Sequence, residues 1–345
     1  MQGLGGLMSI LCINKNVAGG PKSLDDFDGG RGAISVLCER NPRVVNSVYS
    51  NAPLLRISRV CLGGLLLVTV LALPTQAQRN YGPCECQPRG TLMQWSYGTS
   101  FSGGPDLDAP LVTDRPDFTE ASSTVGLGVA QLEIGYTYGF DNDGTDQTIT
   151  HSYAEPLLRV GILADWLEFR IFQSAVTQIE NGVEESGATD LYLGFKIGLT
   201  PQEGLLPEMA LIPQMTVPTG SDDFGSNDVL AGLNWIYGWE VSECIGTAGS
   251  TQFNRSEDDT TSRAFTRWAQ SWTIAYSLTD RLGAYTEWFG LFPHSADTAD
   301  TEHYFNGGFT VLLSNDVQWD IRGGVGLNDA SEDYFVGTGL SLRFR

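Results

Sequence analysis

The feature that most constrains the fold of this chain is a period of two in its hydrophobicity. In residues 129 to 140, VAQLEIGYTYGF, apolar or aromatic side chains occupy every second position from Ala130 on, and Gln131 and Glu133 lie between them. Successive side chains of a β-strand point to opposite faces, so the pattern predicts a strand with one apolar face. Twelve runs of this kind can be marked, at residues 129–140, 148–162, 165–178, 188–199, 206–217, 228–241, 244–254, 264–277, 281–292, 303–313, 316–327 and 333–344.

The lengths of the runs and of their connections indicate a membrane barrel. Most runs have 11 to 15 residues, whereas strands of soluble proteins have about five or six and tilted membrane strands need about 9 to 11. The connections alternate: DNDGTDQ after the first run is long and polar, Leu163-Ala164-Asp165 after the second is short, and this order continues. Outer-membrane barrels have short periplasmic turns and long outer loops. We therefore predict an all-β protein, an up-and-down antiparallel transmembrane β-barrel of about 12 strands in the cell outer membrane.

The direction of the apolar face decides between a soluble barrel and a membrane barrel. Alternation alone fits both, but twelve strands enclose an interior too wide for one layer of Leu and Phe to fill. We therefore expect the apolar face, with tryptophans such as Trp235 and Trp268, to meet lipid and the polar face to line a wet lumen. The candidate lumen or selectivity residues are Glu133, Glu168, Arg170, Lys196, Glu240, Arg267, Glu287, Asp320, Arg322 and Arg343.

An apolar run near the N-terminus predicts export. Val60 to Leu73 follows Arg56 and Arg59 and precedes Thr75-Gln76-Ala77. These 14 residues are short for a membrane span, which needs about 20, so a signal peptide cleaved after Ala77 is expected, with a buried helix or short anchor as the alternative. The predicted organisation is a leader or mis-assigned start at 1–55, a signal peptide at 56–77, a periplasmic N-terminal segment at 78–127 and the barrel at 128–345.

The charge balance excludes one class of partner and suggests others. The chain has 41 acidic and 20 basic residues, a formal charge of −21, so it should repel nucleic acid. Acidic residues gather in the long connections, which form either a solvated rim or one that concentrates cations and is bridged by divalent ions to lipopolysaccharide. The expected partners are outer-membrane lipid, lipopolysaccharide, a small-molecule solute and the barrel-assembly machinery. The last strand resembles the C-terminal signal that this machinery reads, although Arg345 follows the terminal aromatic Phe344.

A motif before the first strand carries a family resemblance. Residues 113 to 138 read TDRPDFTEASSTVGLGVAQLEIGYTY, and PLLRVGILADWLEFR (156–170), ATDLYLGFKIGL (188–199), VPTG (217–220) and AYSLTDRLGAYTEWFG (275–290) follow. Together they resemble the family called "putative meta-pathway of phenol degradation". The resemblance implies an outer-membrane barrel that passes small, hydrophobic or aromatic molecules, and it does not imply an enzyme. The residues that match its motif are Asp114, Arg115, Asp117 and Glu120.

The charged motif invites a physical interpretation. We expect the segment to enter the periplasmic end of the barrel, where Arg115 would pair with lumen carboxylates such as Glu168 or Glu287 and narrow the passage. A solvated linker with a turn at Arg115-Pro116 is the alternative.

Other reactive residues give no sign of a catalytic or metal site. The exported part holds Cys84, Cys86 and Cys244, an odd number, so at most one bridge forms and free thiols remain an alternative. The three histidines are scattered, so no metal site or cofactor is expected. No nucleophile elbow, Walker loop or dinucleotide fingerprint is present in the sequence, and His151 is the sole candidate for a hydrolase at the rim.

The sequence therefore predicts a passive channel for small solutes, without catalysis. A non-conducting structural or adhesive outer-membrane barrel is the alternative.

Overall fold

The computed structural model describes residues 105–345 except 143, 145, 259 and 260, and all regular elements in this part are β-strands. The predicted signal peptide and both Cys84 and Cys86 lie outside the described residues. No helix in the described part is long and apolar enough to cross a membrane. The strands are β1 (Ala130–Asn142), β2 (Gln147–Tyr153), β3 (Leu157–Gly161), β4 (Leu167–Phe172), β5 (Ala175–Glu180), β6 (Val183–Ala188), β7 (Leu191–Thr200), β8 (Glu208–Val217), β9 (Leu230–Glu240), β10 (Ile245–Glu257), β11 (Ala264–Ser277), β12 (Leu282–His294), β13 (Glu302–Ser314), β14 (Val317–Gly326) and β15 (Tyr334–Phe344).

The strands form a closed antiparallel barrel. Each strand from β7 to β15 pairs with the next, and β15 returns to β1 in an unbroken register from Ala130 opposite Phe344 to Phe140 opposite Tyr334. On the other side of β1, three of the strands that cross the barrel wall are interrupted, and each consists of two shorter pieces. These are β2 followed by β3, β4 followed by β5, and β6 followed by β7. The barrel therefore has twelve crossings, which confirms the prediction of an up-and-down transmembrane barrel of this size.

The interruption between β2 and β3 changes which residues face inward. Ala154 and Glu155 have φ angles of 64° and 31°, and Pro156 follows them. Such an irregularity breaks the alternation, because extra residues are left out of the ladder. Before the break the buried position Thr148 is even-numbered, and after it the buried position Arg159 is odd-numbered. The break thus turns Arg159 into the lumen.

One predicted loop is in fact a hairpin. The sequence predicts that ENGVEESG, residues 180–187 between the third and fourth runs, is an outer connection. In the structure, β5 continues to Glu180 and β6 starts at Val183. Asn181 and Gly182 have φ angles of 51° and 86°, the positive values that a two-residue hairpin turn requires and that Asn-Gly adopts readily. The turn chemistry therefore extends this part of the wall beyond the expected run.

The two faces of the wall have opposite polarity. Outward side chains such as Trp235, Phe309 and Val336 are 44%, 51% and 48% exposed, while inward carboxylates such as Glu133 are fully buried. Apolar groups left uncovered around a whole barrel are stable against acyl chains and not against water. The barrel is thus of the outer-membrane kind, with the short turns at its periplasmic end and the long connections at its outer end.

Candidate functional site

The lumen holds a loop of the chain itself. Residues 111–129, here called the plug, lie inside the barrel, and all of Thr113 to Ser123 are buried. The plug starts at the periplasmic end, where the Leu111 N–H donates to the Asn315 carbonyl at 2.8 Å. It returns to the same end, where the Leu127 N–H donates to Asp165 Oδ1 at 2.9 Å and the Gly128 N–H to the Gly161 carbonyl at 3.0 Å. The plug is therefore a re-entrant loop.

Asp114 is the centre of the contacts between plug and wall. Its carboxylate accepts hydrogen bonds from Lys196 Nζ at 2.7 Å and from the Arg170 guanidinium, and Arg159 Nε lies 3.3 Å away. It also accepts from the Ala121 N–H at 3.0 Å, which closes the plug on itself. Three cations from β3, β4 and β7 thus converge on one carboxylate of the plug.

Two of these cations, Arg159 and Arg170, also hold carboxylates of the wall. Arg159 donates to Glu133 Oε1 at 3.0 Å and to Glu168 Oε1 at 2.8 Å. Arg170 donates to Glu168 Oε1 at 3.0 Å and to Glu120 Oε1 of the plug at 2.6 Å. Buried charges are stable only when such pairing and hydrogen bonding are nearly complete. We call these seven residues the ion network: Asp114, Glu120, Glu133, Arg159, Glu168, Arg170 and Lys196.

Arg115 extends the contacts to the neighbouring wall formed by β1, β14 and β15. Its Nη1 lies 2.8 Å from Glu155 Oε2 and its Nε lies 3.3 Å from Asp320 Oδ2. The wall glycines Gly135 and Gly339 make room for it, since a Cβ at either position would overlap the guanidinium. The sequence predicted carboxylate partners for Arg115 but named the wrong ones, because Glu168 is already paired within the ion network.

Glu287, the other predicted partner of Arg115, binds the plug backbone instead. Its carboxylate accepts from the N–H groups of Phe118 and Thr119 at 2.6 and 2.8 Å and from the Thr119 hydroxyl at 2.7 Å. Asn306 Nδ2 donates to the same carboxylate at 2.9 Å. This single side chain of β12 therefore fixes the tip of the plug.

Aromatic rings cover the tip of the plug on its outer side. Phe118 stacks on Phe289 with ring centroids 4.5 Å apart, and Phe289 stacks on Tyr304 at 4.7 Å. Phe335 meets Tyr304 edge to face, and the Arg322 guanidinium lies over the Phe335 ring at 5.3 Å. We call Phe118, Phe289, Tyr304 and Phe335 the aromatic layer. It gives the lumen an apolar level above the charged one.

The outer mouth above the aromatic layer is acidic. The Tyr304 hydroxyl donates to Glu302 Oε2 at 2.7 Å and accepts from the Glu332 N–H at 3.2 Å. Burial, together with the charges of Asp141 and Glu302, raises the pKa of Glu332 to about 7. Glu332 therefore changes its charge near neutral pH.

The periplasmic end clamps the chain before the plug. Arg343 donates to the carbonyls of Leu107 and Ala109 at 3.0 and 2.8 Å and, through Nε, to Asp316 Oδ1 at 2.8 Å. Slight desolvation of Asp316 opposes its ionisation, but hydrogen bonds from Arg343 and Arg345 hold the pKa of Asp316 below its usual value. The start of the plug is thus tied to the last strand of the barrel.

The predicted lumen residues are placed unequally. Eight are buried on the inner face: Glu133, Glu168, Arg170, Lys196, Glu287, Asp320, Arg322 and Arg343. Arg267 is half-buried over the Phe265 ring near the outer end, and Glu240 is exposed at the periplasmic end of β9. Two charged residues of the lumen, Arg159 and Glu155, are not among the residues predicted from the sequence. Glu155 lies in the break after β2, and Arg159 follows it in β3. Pro156 inside a run was the available signal, because proline is rare within strands that pair on both sides.

The other reactive side chains do not meet. His151 lies on the lipid-facing side of the wall, where its Nδ1 is 2.8 Å from the Tyr136 hydroxyl. Cys244 is a free, exposed cysteine. Within the described ranges, no three His, Cys, Asp or Glu side chains are grouped so as to hold a metal ion.

Comparison with known proteins supports the fold and identifies the family. The COG4313 outer membrane channel from Pseudomonas putida F1 is 13% identical, with a TM-score of 0.52 over 67% of this chain and 100% of that one. The translocator domain of the autotransporter NalP from Neisseria meningitidis is 10% identical over 64% and 89% of the two chains, with a TM-score of 0.42. The NanC porin is 11% identical over 62% and 98%, with a TM-score of 0.38. No curated protein sequence matches the chain. The model of the family described as "Putative MetA-pathway of phenol degradation" matches residues 113–344, and the chain belongs to this family.

Proposed function

We propose that the protein is an outer-membrane channel for small solutes whose conductance is controlled by the plug. The observation that carries the proposal is the ion network, in which three wall cations hold one plug carboxylate, Asp114, inside the lumen. The lumen is filled by a separate loop of the chain that is held by polar contacts, and these contacts can be exchanged for contacts with water.

The path of the plug limits how the channel can open. Both ends of the plug are fixed at the periplasmic end. The middle of the loop can therefore move out of the centre of the lumen while its two ends stay attached to the barrel. Solute would then move down its gradient, with no catalytic step. The aromatic layer supports the view that apolar or aromatic solutes are accepted, because rings bury their faces favourably against other rings. The acidic mouth favours cations over anions.

A plug replacement tests the proposal. In a variant whose residues 113–123 are replaced by a Gly/Ser segment of equal length, the polar contacts vanish while the barrel and the loop length remain. We expect larger and more frequent current steps in planar bilayers than for the native chain. Equal silence of both proteins, each shown to be folded by heat-modifiable migration on gels, would refute a channel.

The burial of the plug inside the barrel favours one alternative, a non-conducting barrel that presents its acidic loops. That function predicts no current from the native chain or from the plug replacement. The same loops would be bridged by divalent ions to lipopolysaccharide, and the last strand would be read by the barrel-assembly machinery. Loss of lipopolysaccharide binding on chelation, and loss of insertion when Phe344 is changed to Ala, test these two partners.

A further inference from the structure

Most carboxylates at the plug are compensated by neighbouring groups. Six acidic side chains that surround or belong to its buried part form ion pairs with Arg or Lys: Asp114, Glu120, Glu133, Glu155, Glu168 and Asp320. Glu208 accepts from the Ser122 hydroxyl at 2.7 Å. Two more carboxylates, Glu287 and Asp117, form no ion pair within the described residues. Glu287 is compensated by four hydrogen bonds from the plug and Asn306. Asp117 has no comparable compensation.

Asp117 is 1% exposed, and neither of its carboxylate oxygens has a hydrogen-bond partner among the described residues. Its own N–H and the Thr273 hydroxyl are near, but they make no hydrogen bond of normal geometry with it. The charges of Glu287 and Asp114 repel it. A buried, unpaired carboxylate beside a second one is strongly unfavourable unless another group compensates it.

Two more unpartnered oxygens belong to wall residues beside Glu287, and the charges of both Asp117 and Glu287 act on one of them, Tyr285. Tyr285 Oη and Asn306 Oδ1 are buried without a hydrogen-bond partner, and both side chains are at most 2% exposed. The register explains why they are neighbours. Asn306 is directly opposite Glu287, and Tyr285 is the preceding inward residue of the same strand. Gly308 opposite Tyr285 leaves room for its ring, since a Cβ there would lie 2.8 Å from a ring carbon.

We propose that Asp117, Tyr285 and Asn306 bind one Ca²⁺ ion between the plug tip and the wall. A proton on Asp117 would satisfy one acceptor, whereas a hard cation takes several oxygen ligands at once and offsets the repulsion from Glu287. The site would join the plug to β12 and β13, on the side of the lumen away from the ion network. The ligands come from three separate stretches of chain, so no sequence motif announces them.

Calcium content tests the site directly. The whole chain is folded into detergent from denatured inclusion bodies, free of lipopolysaccharide, with Ca²⁺ at about 1 mM, the level at which extracellular calcium modules bind. After gel filtration, elemental analysis should find about one ion per chain. Asp117→Asn should lose this ion, while the control Glu184→Gln, in an exposed hairpin position, should keep it.

Stability gives a second readout that does not depend on conductance. Chelation should lower the unfolding temperature of the native chain and leave Asp117→Asn unchanged. Absence of calcium from the native chain, or equal calcium in native and Asp117→Asn proteins, would overturn the proposal. A stability that follows pH but ignores calcium would identify a protonated Asp117 instead.

Discussion

Replacing Asp114 with Asn should release the plug without unfolding the barrel. The change keeps the shape of the side chain and removes one charge from a site where Lys196 Nζ lies at 2.7 Å and Arg159 Nε at 3.3 Å. Removing one partner from a buried charge network costs about 3–5 kcal/mol. The wall cations can be rehydrated if the plug moves away, so this cost shifts the balance between plugged and open states. Since about 1.4 kcal/mol is a factor of ten, the open fraction should rise roughly 100- to 4,000-fold.

The assay is single-channel recording in planar bilayers, with open probability as the measured quantity. The matched control is Asp108→Asn, because the Asp108 carboxylate is 99% exposed where it meets Arg345 at 3.3 Å, and exposed pairs contribute little. We expect the control to behave like the native protein. If Asp114→Asn is folded and its open probability equals that of the control, the ion network does not hold the plug and the reasoning fails.

Three further predictions concern the wall glycines that make space for Arg115, the acidic outer mouth of the lumen and the tip of the plug. Gly339→Ala should displace the Arg115 guanidinium and raise conductance, whereas Gly198→Ala, whose Cβ would meet its nearest atom at 3.7 Å, should not. The raised pKa of Glu332, about 7, means that its neutral form stabilises the folded mouth at low pH. That contribution is lost as pH rises through 7, because Glu332 then becomes ionised. The added negative charge at the mouth attracts cations, so reversal potentials in a salt gradient should show stronger cation preference at pH 8 than at pH 6. Phe118→Ala should lower the unfolding free energy by about 3–5 kcal/mol, measured in urea, and an unchanged value would show that the aromatic layer is loosely packed.

The barrel was predictable because its physics is local. Strand alternation, run length and the alternation of long and short connections each follow from a few neighbouring residues, and together they predicted the twelve crossings. The error at ENGVEESG shows the limit of composition as evidence. A polar stretch was taken for a loop, although Asn181-Gly182 specifies a tight turn and leaves its flanks free to pair.

The site was less predictable because it depends on distant residues. The motif identified the plug carboxylates, but the partners of Arg115 are Glu155 and Asp320, 40 and 205 positions away. Arg159 was missed because a single uninterrupted strand would place it in lipid, and only the break at Pro156 turns it inward. Phase shifts of this kind come from backbone conformation, which period counting does not see.

The order of contacts along the chain constrains how the molecule is assembled. The plug precedes β1, yet it is held by Glu287 of β12 and Asp320 of β14, which are synthesised near the end of the chain. The wall joins its first and last strands along one line. The contacts that hold the plug are therefore complete only when β12 and β14 are in place, so a chain that lacks these strands cannot retain its plug.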